Sequence, residues 1–269
     1  MKKIPLSAVL ITQNAAHSLA ACLASVAFCD EILVVDSGSA DDTVAIAQSC
    51  GARVIQTHWR GFGPQKQFAV EQAAHDWVLC IDADERVSDR LQRSLKETLA
   101  VSSAPTFCAY RFARCNRFMG RYLRHGEGYP DWSLRFFNRQ YAQWSADVVH
   151  EKVCFTGSTS TRVGTLIGDL LHDSADSLDN YLDKQNRYST LAANAAITQG
   201  KHAHAAHLLL SPLVRFIKFY FFRRGFLDGL PGLVHILIGC GTSFAKYAKM
   251  AALQRQTANP APPSSDALQ

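Results

Sequence analysis

The sequence has no closely spaced cysteine pair. Its eight cysteines, Cys22, Cys29, Cys50, Cys80, Cys108, Cys115, Cys154 and Cys240, are scattered singly among apolar neighbours. That spacing excludes a zinc ribbon and a disulfide-stapled secreted scaffold, and it predicts mostly buried thiols in a reducing compartment. Strong charge imbalance is also missing, with a net charge of only +5 over 269 residues, so no nucleic-acid partner is expected. The segment after the first apolar run reads "TQNAAHS". It lacks the glycine-rich turn that a dinucleotide-binding dehydrogenase needs there. No internal repeat is present. No stretch reads as a clean transmembrane span, because Arg215, Lys218, Arg223, Arg224 and Asp228 interrupt the apolar C-terminal region. The N-terminal "MKKIPLSAVLITQN" superficially resembles a signal peptide, but its apolar run is short and has no convincing cleavage site. It reads as a first strand, and the protein as cytoplasmic.

What is there is a chain with 48% hydrophobic residues, enough for a sizeable core. Strand-length apolar runs at 7–12, 31–36, 52–56 and 77–82 alternate with helix-period stretches, with Asp41 or Asp42 as an N-cap and Pro64 near a helix start. This is the pattern of a parallel sheet wrapped by helices, whose ligands gather at the carboxyl ends of the strands. After Leu99 the alternation stops. "TFCAYRFARCNRF" and "DWSLRFFNR" read as further strands, and "SLDNYLDKQNRYSTLAANAA" as a long helix. Residues 203–250 then resemble two amphipathic helices suited to lying on a bilayer surface. The expected organisation is an α/β catalytic domain over 1–175, a helical extension over 176–252 and a disordered tail over 253–269.

Chemistry concentrates in "VLCIDADER", residues 78–86. In extended backbone, residues i and i+2 point the same way, so Asp82 and Asp84 leaving a strand can present two carboxylates to one point. A hard divalent ion, Mg2+ or Mn2+, is commonly held by one or two carboxylates with substrate phosphates completing its shell. The competing reading is a solvated acidic turn in which Glu85 and Asp89 cap the next helix. "EILVVDSGSADDT" places a second strand-end carboxylate, Asp36, before a tight turn and a helix. Together the three acids suit a nucleotide–metal complex.

"VLITQN", "VVDSGSADDT" and "DAD" resemble the N-terminal pattern of the inverting family 2 glycosyltransferases, with Gln13 in place of the usual aromatic residue and Ser37 in place of a second aspartate. "GFGPQKQFA", "YPDWSLRFFNR", "VHEKV" and "RRGFLDGLPG" look like the subgroup that includes lipopolysaccharide core β-glucosyltransferases acting on inner-core heptose. The resemblance implies one Rossmann-like domain of the glycosyltransferase A type with a mixed sheet, a UDP-hexose donor and an acidic glycolipid acceptor. It also implies a station on the cytoplasmic face of the bacterial inner membrane. By position, Asp36 would accept from the uracil, Asp82 would approach the ribose or metal, and Asp84 the metal and diphosphate. Lys66 would meet a nucleotide phosphate.

Inverting transfer needs a carboxylate to take the proton of the attacking hydroxyl. Glu127, Asp131 and Glu151 are candidates; Glu151 is the first choice and Asp131 the second. His150 would complete the metal shell or touch phosphate, and Arg135 would orient carboxylates or bind phosphate. Arg111, Arg114, Arg117, Arg121 and Arg124 form a dense basic region, read either as a solvated face or as a surface for an acidic acceptor, with Arg114, Arg117 and Arg121 as its contacts. "KHAHAAH" lacks acidic or thiol partners and is weak as a zinc site. A phosphohydrolase would carry its D-x-D after the first strand rather than the fourth. A non-catalytic membrane-surface module would leave the three aspartates unexplained.

Overall fold

A computed structural model describes residues 3–100, 105–147, 151–156, 162–173 and 177–258. The chain divides into two compact units, one of residues 1–117 and 130–174, the other of 118–129 and 175–269.

The first unit opens with β1 (Leu6–Thr12), α1 (Ala16–Ser25), β2 (Glu31–Asp36), α2 (Thr43–Ser49), β3 (Arg53–Gln56), α3 (Phe62–Gln72) and β4 (Trp77–Asp82). These four strands pair in parallel in the order β3-β2-β1-β4. Six of the seven residues of β1 are buried, as a parallel strand covered by helices on both faces requires. Alternate residues supply two separate cores, with Leu6, Ala8 and Leu10 in one and Val9 in the other.

Beyond β4 come β5 (Glu85–Val87), α4 (Asp89–Leu99) and β6 (Ala109–Phe118); β7 (Arg121–Tyr122) belongs to the second unit, and β8 (Asp131–Asn138), β9 (Ala142–Trp144), β10 (Val153–Phe155) and β11 (Val163–His172) complete the strands. The sheet continues from β4 through β8, β6 and β11 to β5. β8 is antiparallel to β4 and β6, while β11 is parallel to β6 and antiparallel to β5, so the sheet is mixed. β9 and β10 form a separate antiparallel hairpin. Helix α4 is capped by Ser88, whose hydroxyl accepts from the Leu91 N–H, with Asp89 in the first turn. Glu85, expected in a capping role, is instead wholly buried in β5. The eight cysteines form no disulfide.

The second unit contains α5 (Leu178–Thr198), α6 (Ala205–Phe216), a π-helical turn (Ile217–Phe222), a short 3₁₀ turn (Gly225–Asp228) and α7 (Gly229–Ala258). Asp228 is buried; its Oδ2 accepts the Arg124 and His125 N–H groups at 2.9 and 2.8 Å, and its Oδ1 faces His125 Nδ1 at 3.0 Å. Two expectations change here. Helix α7 continues through 253–258, placed in the tail by sequence, while 259–269 lie outside the described residues. And two helical stretches, Ala205–Phe222 and Gly225–Gln256, are long and apolar enough to cross a membrane by length and composition. The charges that break the linear pattern sit partly between them: Arg223 and Arg224 fall at the junction and Asp228 is buried.

Candidate active site

The parallel register sets Thr12 opposite Asp36 and Ile11 opposite Asp82. Asp36 and Asp82 therefore end their strands on the same edge of the sheet, two strand spacings or roughly 10 Å apart. Their side chains then do different things. Asp36 is fully buried, and its Oδ1 accepts the N–H groups of Gly38 and Ser39 at 3.0 and 2.9 Å. Its Oδ2 accepts the hydroxyls of Thr12 and Ser39. The carboxylate thus holds the Ser37–Ser39 turn closed, which Gly38 permits with φ of 86°. Gln65, also buried, donates from Nε2 to Ser37 Oγ at 3.0 Å.

Asp82 lies between two cations. Lys66 Nζ is 3.1 Å from Oδ1 and Arg135 Nη2 is 2.9 Å from Oδ2. Lys66 comes from α3, whose Gln67 side chain accepts the Trp144 N–H at 2.9 Å and ties the helix to β9. The hairpin that β9 opens returns through Lys152, whose carbonyl accepts the Ser145 N–H at 2.8 Å, and so delivers Glu151 just ahead of β10. Glu151 Oε1 accepts from Lys66 Nζ at 2.8 Å.

Arg135 extends the series from β8. Its Nη2 is 4.0 Å from Glu85 Oε1, Arg114 Nη1 is 3.6 Å from that same oxygen, and Arg114 Nη2 is 2.8 Å from Asp131 Oδ2. The outcome is an alternating row: Glu151, Lys66, Asp82, Arg135, Glu85, Arg114, Asp131. Trp144 forms a floor beneath it, with Lys66 Nζ 5.0 Å and the Arg135 guanidinium carbon 5.4 Å from the ring centroid, within cation–π range. The two base candidates occupy its ends.

Burial opposes the charge on Asp82, yet Arg135 and Lys66 together hold its carboxyl well below the usual carboxylate range. Burial, reinforced by the charge on Asp82, pushes Glu85 up. Glu85 Oε2 accepts the Asp82 N–H at 2.9 Å. Its Oε1 is enclosed with no hydrogen-bond donor, as is Nη1 of Arg135 without an acceptor, among the described residues.

Asp84 departs from the expected shared point. The chain turns at Ala83 and Asp84 instead of staying extended, so the alternation that would align Asp82 with Asp84 is lost. Asp84 Oδ2 meets His172 Nε2 at 3.3 Å, and His172 Nδ1 meets Asn116 Oδ1 at 2.8 Å. Burial disfavours the His172 cation, but the hydrogen bond and charge of Asp84 raise its pKa overall. No three histidine, cysteine or acidic side chains converge as a ready-made metal cage among the described residues. Asp84 and His172 nonetheless pair a carboxylate with an imidazole, a donor set that a divalent ion can share with phosphate oxygens.

The expected basic surface is split. Strand alternation sends Arg111 over Trp132, 4.9 Å from its ring, while Arg114 goes to Glu85 and Asp131. Arg117 lies 3.5 Å from Asp173, and Arg121, in the second unit, donates to the Leu227 carbonyl at 3.0 Å. Glu127 pairs with Arg215, also in the second unit. His150 lies outside the described residues. His204 and His207 cap the start of α6. Sequence reading missed Glu85 as a site residue, along with Trp144 and His172. Glu85 had a visible signal as the third carboxylate of "VLCIDADER", read there as a cap, and His172 had one as a histidine closing an apolar run.

A mixed sheet wrapped by helices, with aspartates at the carboxyl ends of two parallel strands and buried Lys66 and Arg135 beside one of them, is the architecture of a glycosyltransferase A-type fold. The Glycosyl transferase family 2 model matches residues 7–159, and the chain belongs to that family. It is 33% identical over 272 residues, 99% of this chain and 98% of the other, to the lipopolysaccharide core biosynthesis glycosyltransferase LpsC of Rhizobium meliloti strain 1021. An uncharacterized glycosyltransferase of Rickettsia typhi is 32% identical over 96% of this chain and 90% of its own. Among solved structures, S. aureus TarS 1-349 in complex with UDP-GlcNAc aligns over 94% of this chain and 92% of that one, at 13% identity and a TM-score of 0.46.

Proposed function

We propose that this protein moves a hexose, glucose from UDP-glucose, with inversion onto an inner-core heptose of lipopolysaccharide, at the cytoplasmic face of the inner membrane. The observation that carries the reading is Lys66, one ammonium that bridges strand-end Asp82 and Glu151, the latter 85 residues beyond the lysine. A near-full-length relative named for lipopolysaccharide core biosynthesis supports the acceptor class. A related reading keeps the chemistry and changes the sugar or the glycolipid.

In this reading Glu151 takes the proton of the attacking hydroxyl, with Asp131 at the far end of the row as second candidate. Lys66 and Arg135 supply positive charge for the donor's diphosphate. Asp84 and His172 would hold Mg2+ or Mn2+, with Asp82 close by in sequence but engaged by its two cations. The ion supplies charge neutralisation at the leaving diphosphate. Asp36 shapes the turn against which the base would sit.

The test is a mass-spectrometric screen of nucleotide sugars with core-truncated lipopolysaccharide as acceptor, with and without chelator. The expected result is hexose addition from UDP-glucose that depends on divalent metal and is lost in Asp84→Ala. Absence of UDP binding and of metal-dependent turnover with every nucleotide sugar overturns the proposal. Turnover with another acceptor overturns only the acceptor half.

A further inference from the structure

The second unit carries a feature that the transferase chemistry does not use. Helix α6 and the π-helical turn after it leave large apolar side chains in the open, with Leu209 75%, Leu213 53%, Val214 61% and Phe222 80% exposed. Residues 205–227 contain Arg215, Lys218, Arg223 and Arg224 and no acidic residue. Between α6 and α7, a groove of about 390 Å³ is lined by Leu210, Val214 and Phe219 on its apolar side and by Ser211, Lys218 and Ser243 among its polar groups. Arg215 also lines it, already paired with Glu127. Lys218 lies over the Phe219 ring at 5.1 Å and meets no carboxylate among the described residues. The Ser211 and Ser243 hydroxyls, one from α6 and one from α7, sit 2.6 Å apart in the lining of the groove.

We propose that this face enters the headgroup layer of an anionic bilayer and that the groove seats the phosphate of a bilayer phospholipid against Lys218 and the two serine hydroxyls. The inference rests on the membrane station proposed above and adds a defined lipid site to it. The exposed side chains supply apolar burial, and an ammonium with no carboxylate partner among the described residues, in a groove also lined by two hydroxyls, supplies what a phosphodiester accepts. The one-sided charge of the segment matches an anionic surface.

The test is co-sedimentation of the whole protein with vesicles, of neutral phosphatidylcholine alone or with about one-third phosphatidylglycerol. No nucleotide sugar or acceptor is present, so the outcome is independent of the transferase reading. Wild type is expected to pellet with the anionic vesicles only. Lys218→Gln should weaken partitioning about fivefold, the effect of one basic residue at such a surface. Lys201→Gln, an exposed lysine outside the groove, should change it less than twofold. Leu213→Glu should abolish pelleting with an unchanged circular dichroism spectrum, since Leu213 is exposed. In Phe222→Trp the indole emission should shift to the blue on anionic vesicles. Equal effects of Lys218→Gln and Lys201→Gln mean diffuse attraction and overturn the groove. Failure of wild type to pellet, or equal binding to neutral vesicles, overturns the whole inference.

Discussion

Asp82→Asn tests the centre of the charged row. Lys66 and Arg135 keep only 6% and 9% of their side-chain surface exposed, and each has Asp82 as a close counter-ion. Asparagine preserves the shape but can accept from only one cation while turning an amide N–H toward the other. Lys66 would retain Glu151, and Arg135 only Glu85 at 4.0 Å. Removing one partner of a buried ion pair costs about 3–5 kcal/mol. Asp82 itself is 30% exposed, so water screens part of that loss, and roughly 2–3 kcal/mol is expected. Urea unfolding should show a lower midpoint with an unchanged slope. A double-mutant cycle with Arg135→Met should return a coupling of about 1–3 kcal/mol. Because the folded pKa of Asp82 is depressed, its contribution is complete above its unfolded pKa, about 3.9, and is lost as pH falls toward the folded value. The gap between wild type and variant should therefore be flat at neutral pH and close in acid. A loss under about 0.5 kcal/mol, or strict additivity in the cycle, refutes the reasoning.

Glu151→Gln should lower kcat by about 10²- to 10⁴-fold with little change in donor KM, whereas Asp131→Asn should cost under about tenfold; steady-state kinetics that reverse the order exchange the two roles. For Gly168→Ala the new Cβ would fall 2.2 Å from the Leu91 backbone nitrogen at a φ of 117°, so α4 must move off β11 and thermal melts should show a loss of about 3 kcal/mol or more. Gly51→Ala, with φ of 77° but nothing within 4 Å, serves as the control and should lose only about 1 kcal/mol from backbone strain. His172 has a raised folded pKa, so its stabilising share is full below its unfolded value, about 6.5, and disappears as pH rises through the folded one. Denaturant titrations from mildly acidic to mildly basic pH should show that decline in wild type and not in His172→Asn.

The parallel half of the sheet was legible because strands covered on both faces must be apolar at nearly every position, and "SAVLIT", "EILVVD" and "WVLCID" are. Where Asp36 and Asp82 stand follows from those strands. The other half was less legible for physical reasons. β5 has three residues, too few to show a period, and β11 kinks at Gly168, where its register with β6 shifts. The D-x-D spacing misled because it assumes extended backbone through Asp84, where the chain turns. Lys66 and Arg135 could be chosen by residue type and placement. Their partners could not, because pairs 53 and 85 residues apart are made by the sheet and the β9–β10 hairpin. The bilayer-length helices were hidden by counting charges along the chain without knowing where the helix breaks fall.

The sign of the row bears on how a donor would enter it. Four carboxylates alternate with three cations, and protonation of Glu85, which burial favours, would bring the row near neutrality. A diphosphate arriving there must compete with Asp82 and Glu151 for Lys66 and Arg135, and those contacts are already short. Asp84 adds another negative charge on the other side of the turn, shared among the described residues with His172. A divalent ion between Asp84 and the diphosphate would turn that repulsion into attraction without disrupting the row. UDP binding measured calorimetrically should therefore be at least about tenfold tighter with Mg2+ or Mn2+ than with chelator, a difference of roughly 1.4 kcal/mol. In Asp84→Ala the metal should make little difference, because the carboxylate that would anchor it is gone while Lys66 and Arg135 would remain for the phosphates. Equal affinity with and without metal in wild type would mean that those two cations carry the diphosphate alone, and that Asp84 serves only to hold His172.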